Sequence, residues 1–188
     1  MLKRAFNKEH LSILVIILFI LTIDQVTKFI AMEYLRPIRS IPVMGNFFRL
    51  TYVENSGMAF GIQIDNKLIF NVLSILAVII IFYYLFKLRN HTSFRTSFAI
   101  ILGGAFGNLT DRFFRGRVID FLDVEFFDIH FSGGNFLMWE LPAYTMYRWP
   151  VFNIADLAVS LGMVIIIIAA FIEDPPQTVV ENAVREEV

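Results

Sequence analysis

The sequence contains no cysteine and few charged residues for a chain of 188 residues. Without cysteine, the chain has no disulfide bond, thiol nucleophile, cysteine-ligated zinc or iron–sulfur cluster. Charged residues make up 18% of the chain, and 16 lysines and arginines nearly balance 17 acidic residues. A formal net charge of −1 lacks the basic excess that is typical of nucleic-acid binding, so we expect no nucleic-acid partner.

Apolar residues dominate instead, at 57% of the chain with a mean hydropathy of +0.65. Soluble domains average about 45–50% apolar and about 25% charged residues. A membrane-spanning helix needs about 20 mostly apolar residues. We predict such helices at residues 11–32, 68–86, 96–114 and 151–172. The fold class predicted is an all-α integral membrane protein with four transmembrane helices.

The orientation of these helices is predicted from basic residues near their ends. Lys3, Arg4 and Lys8 precede the first helix, which also resembles a cleaved signal peptide. No small-residue cleavage site follows, so we predict that the helix is retained. Basic residues are densest at the N-terminus and in a nine-residue turn after the second helix, which predicts cytoplasmic N- and C-termini. Residues 1–172 would form one domain, and the acidic residues 173–188 a disordered cytoplasmic tail.

Two segments between the helices contain residues typical of strands. Residues 47–53 are rich in β-forming side chains and precede a turn at Glu54-Asn55-Ser56-Gly57. Residues 124–131 alternate in part between apolar and polar side chains. We predict a small extracytoplasmic β element that lies against the membrane.

The polar residues that are energetically unfavourable inside a membrane lie at one end of the predicted bundle. An ionisable residue inside a membrane span faces the bundle interior and is a functional candidate. The candidate positions at the outer end are Asp24, Lys28, Asn55, Gly57, Asn108, Asp111, Arg112, Asp120, Asn153 and Asp156. The predicted site therefore lies on the extracytoplasmic side.

Several of these residues also have purely structural explanations. Asp24 and Lys28 are four residues apart and can form an ion pair, or Lys28 can donate to a bound carbonyl. Asn55 and Gly57 fit an ordinary loop with glycine at positive φ. Gly103 and a second glycine four residues later fit close helix packing.

Asp120 and Asp156 are the candidate catalytic pair. They lie 36 residues apart, after the third helix and at the start of the fourth, so they can meet in space. Two carboxylates in a poorly hydrated site do not both ionise easily, and one then keeps a proton while the other acts as a base. That arrangement can activate water against an amide. The alternative is two separately satisfied acids.

The sequence also allows other chemistries. Ser56 and Lys28 can imitate a Ser/Lys dyad. A divalent cation could be held by the acidic residues Asp111, Asp120, Asp123, Glu125 and Asp128. An outer polar site without catalysis would suit a small transporter or channel, and a scaffold without chemistry is a third class.

Five sequence blocks resemble the motifs of bacterial lipoprotein signal peptidase, also called signal peptidase II. In chain order, they are Asp24-Gln25-Val26-Thr27-Lys28, Asn55-Ser56-Gly57-Met58-Ala59-Phe60, Gly104-Ala105-Phe106-Gly107-Asn108-Leu109-Thr110-Asp111-Arg112, Val118-Ile119-Asp120-Phe121 and Phe152-Asn153-Ile154-Ala155-Asp156. They occur in the order of the family, from about residue 11 to 172. One departure is the long stretch of residues 122–151, which suggests an inserted cap, lid or partner surface.

The resemblance implies an aspartyl endopeptidase of the bacterial cytoplasmic (inner) membrane that uses no metal or cofactor. It would act as a monomer among membrane lipids and cut diacylglyceryl-modified prolipoproteins before the lipidated cysteine. Globomycin-type cyclic peptides would inhibit it. Asp120 and Asp156 would be catalytic, and Asn55, Gly57, Asn108, Arg112 and Asn153 would position substrate or the pair. Asp24, Lys28 and Asp111 would give structural support.

Overall fold

A computed structural model describes residues 2–56, 67–87, 91–126, 128–136, 139–141 and 143–172. The four α-helices are α1 (Leu2–Ile30), α2 (Lys67–Lys87), α3 (Thr92–Arg115) and α4 (Ile154–Ile172). A π-helical turn, Ala31–Leu35, continues α1. The strands are β1 (Ser40–Met44), β2 (Phe48–Asn55), β3 (Val118–Val124), β4 (Ile129–Phe131), β5 (Gly134–Phe136), β6 (Trp139–Leu141) and β7 (Tyr144–Met146).

Helix α3 lies among the other three helices and packs against each of them. Its glycines allow this close approach. A Cβ on Gly103 would meet Ile20 of α1, and one on Gly104 would clash with the carbonyl oxygen of Ala155 on α4. At Gly107 the neighbour is the carboxylate of Asp24, so both predicted packing glycines lie at close helix contacts.

Two helical stretches among the described residues, His10–Leu35 and Ile154–Ile172, are long and apolar enough to cross a membrane. The apolar part of α2, Asn71–Lys87, is shorter. Large apolar side chains on α1, α2 and α4 are widely exposed, as expected for surfaces that face lipid. The number of spans stays a prediction.

The first three strands form an antiparallel sheet in the order β1-β2-β3. Beneath it, Ala31 and Leu35 pack with Tyr52, Ile119 and Phe121 in a small hydrophobic core, which fixes the sheet on the end of α1. The free edge of β3 is extended by a bridge between Leu122 and Phe152. This bridge holds the start of α4 beside the middle of β3.

The remaining four strands form two antiparallel two-stranded sheets, β4 with β7 and β5 with β6, within the long stretch between β3 and α4. We call these two sheets together the ribbon. Ile129 pairs with Met146, and Phe136 pairs with Trp139 in the same register.

Two sequence predictions require correction, and one strand was not predicted. The all-α description is too narrow, because seven strands accompany the helices. Residues 124–131 do not form one strand; Val124 ends β3, and β4 begins at Ile129. Strand β3 was missed because most of its residues are buried on both faces, which removes the alternation that indicates a strand.

The helix boundaries also differ from the prediction. Helix α4 begins at Ile154 rather than 151, because Phe152 pairs with β3. Helix α3 begins at Thr92, so four residues rather than nine separate α2 from α3. Gly57, with the rest of its motif after Ser56, and the tail at 173–188 lie outside the described residues.

Candidate active site

Lys28 is the centre of a buried polar network between α1 and α3. Its Nζ lies 2.9 Å from Asp24 Oδ2 and 2.9 Å from Asp111 Oδ2, and it donates to Asn108 Oδ1 at 2.8 Å. The side chains of Lys28, Asp24 and Asp111 are fully buried. An ammonium group has three protons, and each has an acceptor here. The predicted pair of Asp24 and Lys28 is present, with Asp111 as a second acid.

Two side chains that were not among the predicted site residues complete this part of the network. Gln25 Nε2 donates to Asp24 Oδ2 at 3.1 Å, to Asp111 Oδ1 at 3.2 Å and to the Gly107 carbonyl at 3.1 Å. Arg115 donates to Asp111 Oδ1 and to Gln25 Oε1. The sequence feature that could have identified Gln25 is its position beside Asp24 inside a predicted span.

Backbone amides close the network from two other elements. Ala155 N donates to Asp24 Oδ1 at 3.0 Å, and Ile119 N donates to Asp111 Oδ2 at 3.2 Å. The left-handed Gly116, at φ 71°, ends α3 and turns the chain into β3, which brings Ile119 back to Asp111. The buried acids therefore fix the positions of α4 and β3 relative to α1 and α3.

Two asparagines connect this network to the candidate catalytic acids. Asn108 Nδ2 donates to Asp156 Oδ1 at 2.8 Å, while Asn108 Oδ1 accepts from Lys28 and, at 3.1 Å, from Asn153 Nδ2. Asn153 Nδ2 also donates to Asp120 Oδ1 at 2.6 Å. Lys28, Asn108 and Asn153 thus form a continuous path of hydrogen bonds to both aspartates.

Asn153 and Asp156 also cap the first turn of α4. Asn153 Oδ1 accepts from Asp156 N at 3.0 Å, and Asp156 Oδ2 accepts from Asn153 N at 3.2 Å. This reciprocal pair is a capping box, which satisfies two amides that a helix start leaves unpaired. The capping geometry fixes the Asp156 carboxylate, and the side chain remains half-buried.

Asp120 lies in β3 and is only 2% exposed. Its Oδ2 accepts from Asn55 Nδ2 at 3.0 Å, across from the bond to Asn153. Burial, together with the nearby charge of Asp156, raises the pKa of Asp120 to about 7. Asp120 therefore gains and loses its proton near neutral pH, which suits general acid–base chemistry.

Nine of the ten predicted positions converge at this end of the bundle, and the tenth, Gly57, lies outside the described residues. Arg112 interacts electrostatically with Asp156, Asp120 and Asp111. Two of the acidic residues that could hold a divalent cation, Asp123 and Glu125, instead form ion pairs with Arg148. Among the described residues, no three acidic or histidine side chains converge as metal ligands.

Comparisons with known proteins identify the family of the chain. A family model described as signal peptidase (SPase) II matches residues 16–172, which contain every predicted site residue. The chain belongs to the signal peptidase II family. The lipoprotein signal peptidase of Caldanaerobacter subterraneus subsp. tengcongensis is 40% identical over 153 residues, which cover 81% of this chain and 91% of that protein. The corresponding protein of Moorella thermoacetica is 37% identical over 154 residues, covering 81% and 88%.

Solved structures of a bacterial membrane enzyme have a similar fold. A bacterial membrane enzyme solved by the in meso method at 1.9 Å resolution has a TM-score of 0.67 and 28% identity to this chain. The similarity covers 87% of this chain and 94% of that one. Membership of the signal peptidase II family makes the chain a membrane enzyme and does not favour the transporter or channel alternative.

Proposed function

We propose that Asp120 and Asp156 are the catalytic pair of this signal peptidase II, which removes signal peptides from prolipoproteins. The observation that carries the assignment is the hydrogen bonding of Asn153. Its amide donates to Asp120 Oδ1, while its carbonyl and backbone N–H cap Asp156. One residue therefore contacts both carboxyl groups, Asp120 through its side-chain amide and Asp156 through its backbone N–H. The substrate would be the diacylglyceryl-modified form, cut before the lipidated cysteine.

The difference in burial between the two acids supports distinct roles. Asp120 is buried with a pKa of about 7, so its protonated form donates to the scissile carbonyl oxygen. Asp156 is half-buried and takes a proton from the attacking water. The hydroxide adds to the carbonyl carbon, the C–N bond then breaks, and Asp156 passes its proton to the leaving amine. Asp120 recovers a proton from the collapsing diol.

The surrounding residues position the pair and the substrate. Asn55 and Asn108 each hold one oxygen of one aspartate, through bonds of 3.0 Å and 2.8 Å. Arg112 would orient the substrate backbone, and Gly57 would contribute to the same groove. Asp24, Lys28 and Asp111 act at a distance, because they anchor Asn108 and the start of α4.

The topology proposed has four spans, with both termini in the cytoplasm and the active site on the extracytoplasmic side of the inner membrane. Helix α2 has 21 residues and α3 has 24. These lengths correspond to about 31 Å and 36 Å at roughly 1.5 Å per residue, enough to cross a hydrocarbon core of about 30 Å. Residues 1–172 would form this domain, surrounded by lipid and acting as a monomer, with 173–188 as a disordered cytoplasmic tail. Globomycin-type cyclic peptides would bind in the groove.

The experiment compares cleavage of a diacylglyceryl-modified prolipoprotein by the parent, Asp120→Asn and Asp156→Asn in detergent. General acid–base catalysis contributes about 10²- to 10⁴-fold, so each variant should lose at least that much activity. Asp128→Asn is the matched control, because Asp128 is exposed and outside the network. Near-parental turnover by either test variant would refute the pair.

The pH profile tests the assignment of roles. The protonated form of Asp120 is the proton donor and its pKa is about 7, so kcat/KM should decline as the pH rises through about 7. The decline should approach tenfold per pH unit. A kcat/KM that stays constant from pH 6 to pH 9 would exclude Asp120 as the acid.

A further inference from the structure

A second polar surface lies on the face of the sheet opposite the catalytic pair. Val53 of β2 is paired with Asp120 of β3, whereas Glu54 is paired with Ile119, so Glu54 is on the other face. An open cavity of about 550 Å³ lies beside Glu54. It is lined by Arg36, Arg39, Tyr52, Val53, Glu54 and Arg117, and we call it the arginine pocket.

The arginine pocket carries more positive than negative charge. Glu54 is its single acid and accepts from Arg117 Nη1 at 2.8 Å and from the Tyr52 hydroxyl at 3.0 Å. Arg36 reaches the same carboxylate only at 3.8 Å. No acid among the described residues pairs with the Arg39 guanidinium. The pocket therefore suits an anion, and guanidinium groups match phosphate oxygens in geometry.

The backbone at Arg39 is held in an uncommon conformation. Arg39 is the only non-glycine residue with positive φ in the described part of the chain, at 68°. Its N–H donates to the Leu35 carbonyl at 2.7 Å, and its carbonyl accepts from Tyr52 N at 2.8 Å. A left-handed conformation is unfavourable for a residue with a Cβ and persists only where the surroundings impose it, often at binding sites.

The arginine pocket also lies at the end of a membrane-spanning stretch. The apolar stretch of α1 and its π-helical turn ends at Leu35, and Arg36 follows directly. Tyr34 and Ile38, on either side of Arg36, are 67% and 55% exposed. Cations between exposed apolar side chains at the end of a span match the boundary between headgroups and acyl chains. This placement rests on the proposed topology.

We propose that the arginine pocket binds the phosphate group of an anionic phospholipid of the outer leaflet. The phosphate would lie between Arg36 and Arg39, and Tyr34 and Ile38 would contact the acyl chains. The same chemistry would admit free phosphate, so the experiment has an arm for each source. Nothing in the proposal involves Asp120 or Asp156, which belong to the opposite face.

The experiment measures retention of phosphatidylglycerol by the full chain in detergent, using native mass spectrometry without substrate. Arg36→Gln/Arg39→Gln should weaken binding by about fivefold for each arginine removed. Arg49→Gln is the matched control, because it removes the same charge from the same sheet outside the pocket and should bind as the parent does. Glu54→Gln removes the competing anion and should bind the lipid more tightly, a gain that misfolding does not produce.

The second arm replaces the lipid with inorganic phosphate or with phosphatidylcholine. Competition by millimolar phosphate would support a phosphate site open to either source, and resistance to it would support a site that requires the lipid. Equal retention of phosphatidylglycerol and phosphatidylcholine, or parental binding by the double variant, would overturn the proposal. Binding of an acidic peptide in preference to phosphatidylglycerol would overturn it as well. Peptidase activity is measured separately, so failure of either proposal leaves the other standing.

Discussion

The two faces of the three-stranded sheet satisfy their charges in different ways. On the catalytic face, Asp120 is 2% exposed and both of its oxygens accept hydrogen bonds from amides. On the opposite face, the side chains of Arg36 and Arg117 are 66% and 53% exposed and share one carboxylate. Buried hydrogen-bond partners hold the side chains of the first face in one arrangement. On the second face, the positive charge exceeds the negative charge, so an anionic ligand can bind there. The same strands thus separate a proton donor from a cluster of guanidinium groups.

The largest expected difference between the two faces is the loss of unfolding free energy when one positive charge is removed. Lys28→Met leaves the buried carboxylates of Asp24 and Asp111 without their shared cation. Breaking a buried ion pair from one side costs about 3–5 kcal/mol of unfolding free energy. Arg117→Gln removes an exposed partner of Glu54 and should cost at most about 1 kcal/mol.

Thermal unfolding of both variants in detergent measures this difference. Lys87→Met is a further control, because it removes a lysine charge from the end of α2, outside the network. An equal loss of stability in Lys28→Met and Arg117→Gln would contradict the contrast between the faces.

A smaller effect is expected from the helix packing that brings α4 to the catalytic face. Gly104→Ala places a Cβ against the carbonyl oxygen of Ala155, at the start of α4. Overpacking of a tight contact costs about 1–3 kcal/mol, and a shift of α4 would also move Asp156. We expect lower stability and lower turnover together.

Gly134→Ala provides the matched comparison for that change. A Cβ on Gly134 meets no atom within 4 Å, and the residue lies in the ribbon rather than the bundle. Its stability should differ from the parent by less than about 1 kcal/mol. If the two glycine variants behaved alike, the close approach of α3 and α4 would not be what positions Asp156.

The buried face was predictable from sequence to a large extent, because a charge inside an apolar span has few acceptable places. Asp24 and Lys28 were predicted as a pair from their spacing alone. Their third partner, Asp111, was predicted at the same end of the bundle but not as a ligand of Lys28. That contact depends on how α1 packs against α3, and the packing depends on glycines whose neighbours a sequence does not name.

The exposed regions were predicted less well for a physical reason. Arg36, Arg39 and Arg117 are ordinary surface residues by composition, and only the sheet brings them around one cavity. The sequence showed the ribbon only as an unusually long connection. Its strands pair through backbone hydrogen bonds, which produce little alternation of apolar and polar residues in the sequence. Predictions that rest on the energetic cost of burying a charge succeed for buried residues. Exposed residues such as these arginines pay no such cost, so their positions were not predicted.

The smallest structural change separates the two roles of Asn153. In Asn153→Ser, the hydroxyl can still accept from Asp156 N and cap α4. The donors to Asp120, Asn108 and the Ile119 carbonyl are lost. We expect a loss of about 1 kcal/mol in stability from the unsatisfied groups. Activity should fall further than that, because Asp120 loses the amide that orients it toward the carbonyl oxygen of the substrate.

Asn153→Ala removes the cap as well and is the comparison variant. It should lose about a further 1 kcal/mol of stability, with no larger loss of activity than Asn153→Ser if orientation of Asp120 is what matters. The pH profile provides the second readout, because Asn153 donates to the ionised form of Asp120. Without that donor, the declining limb of kcat/KM should move to higher pH. A purely structural role for Asn153 would lower the amount of folded enzyme and leave the position of that limb unchanged.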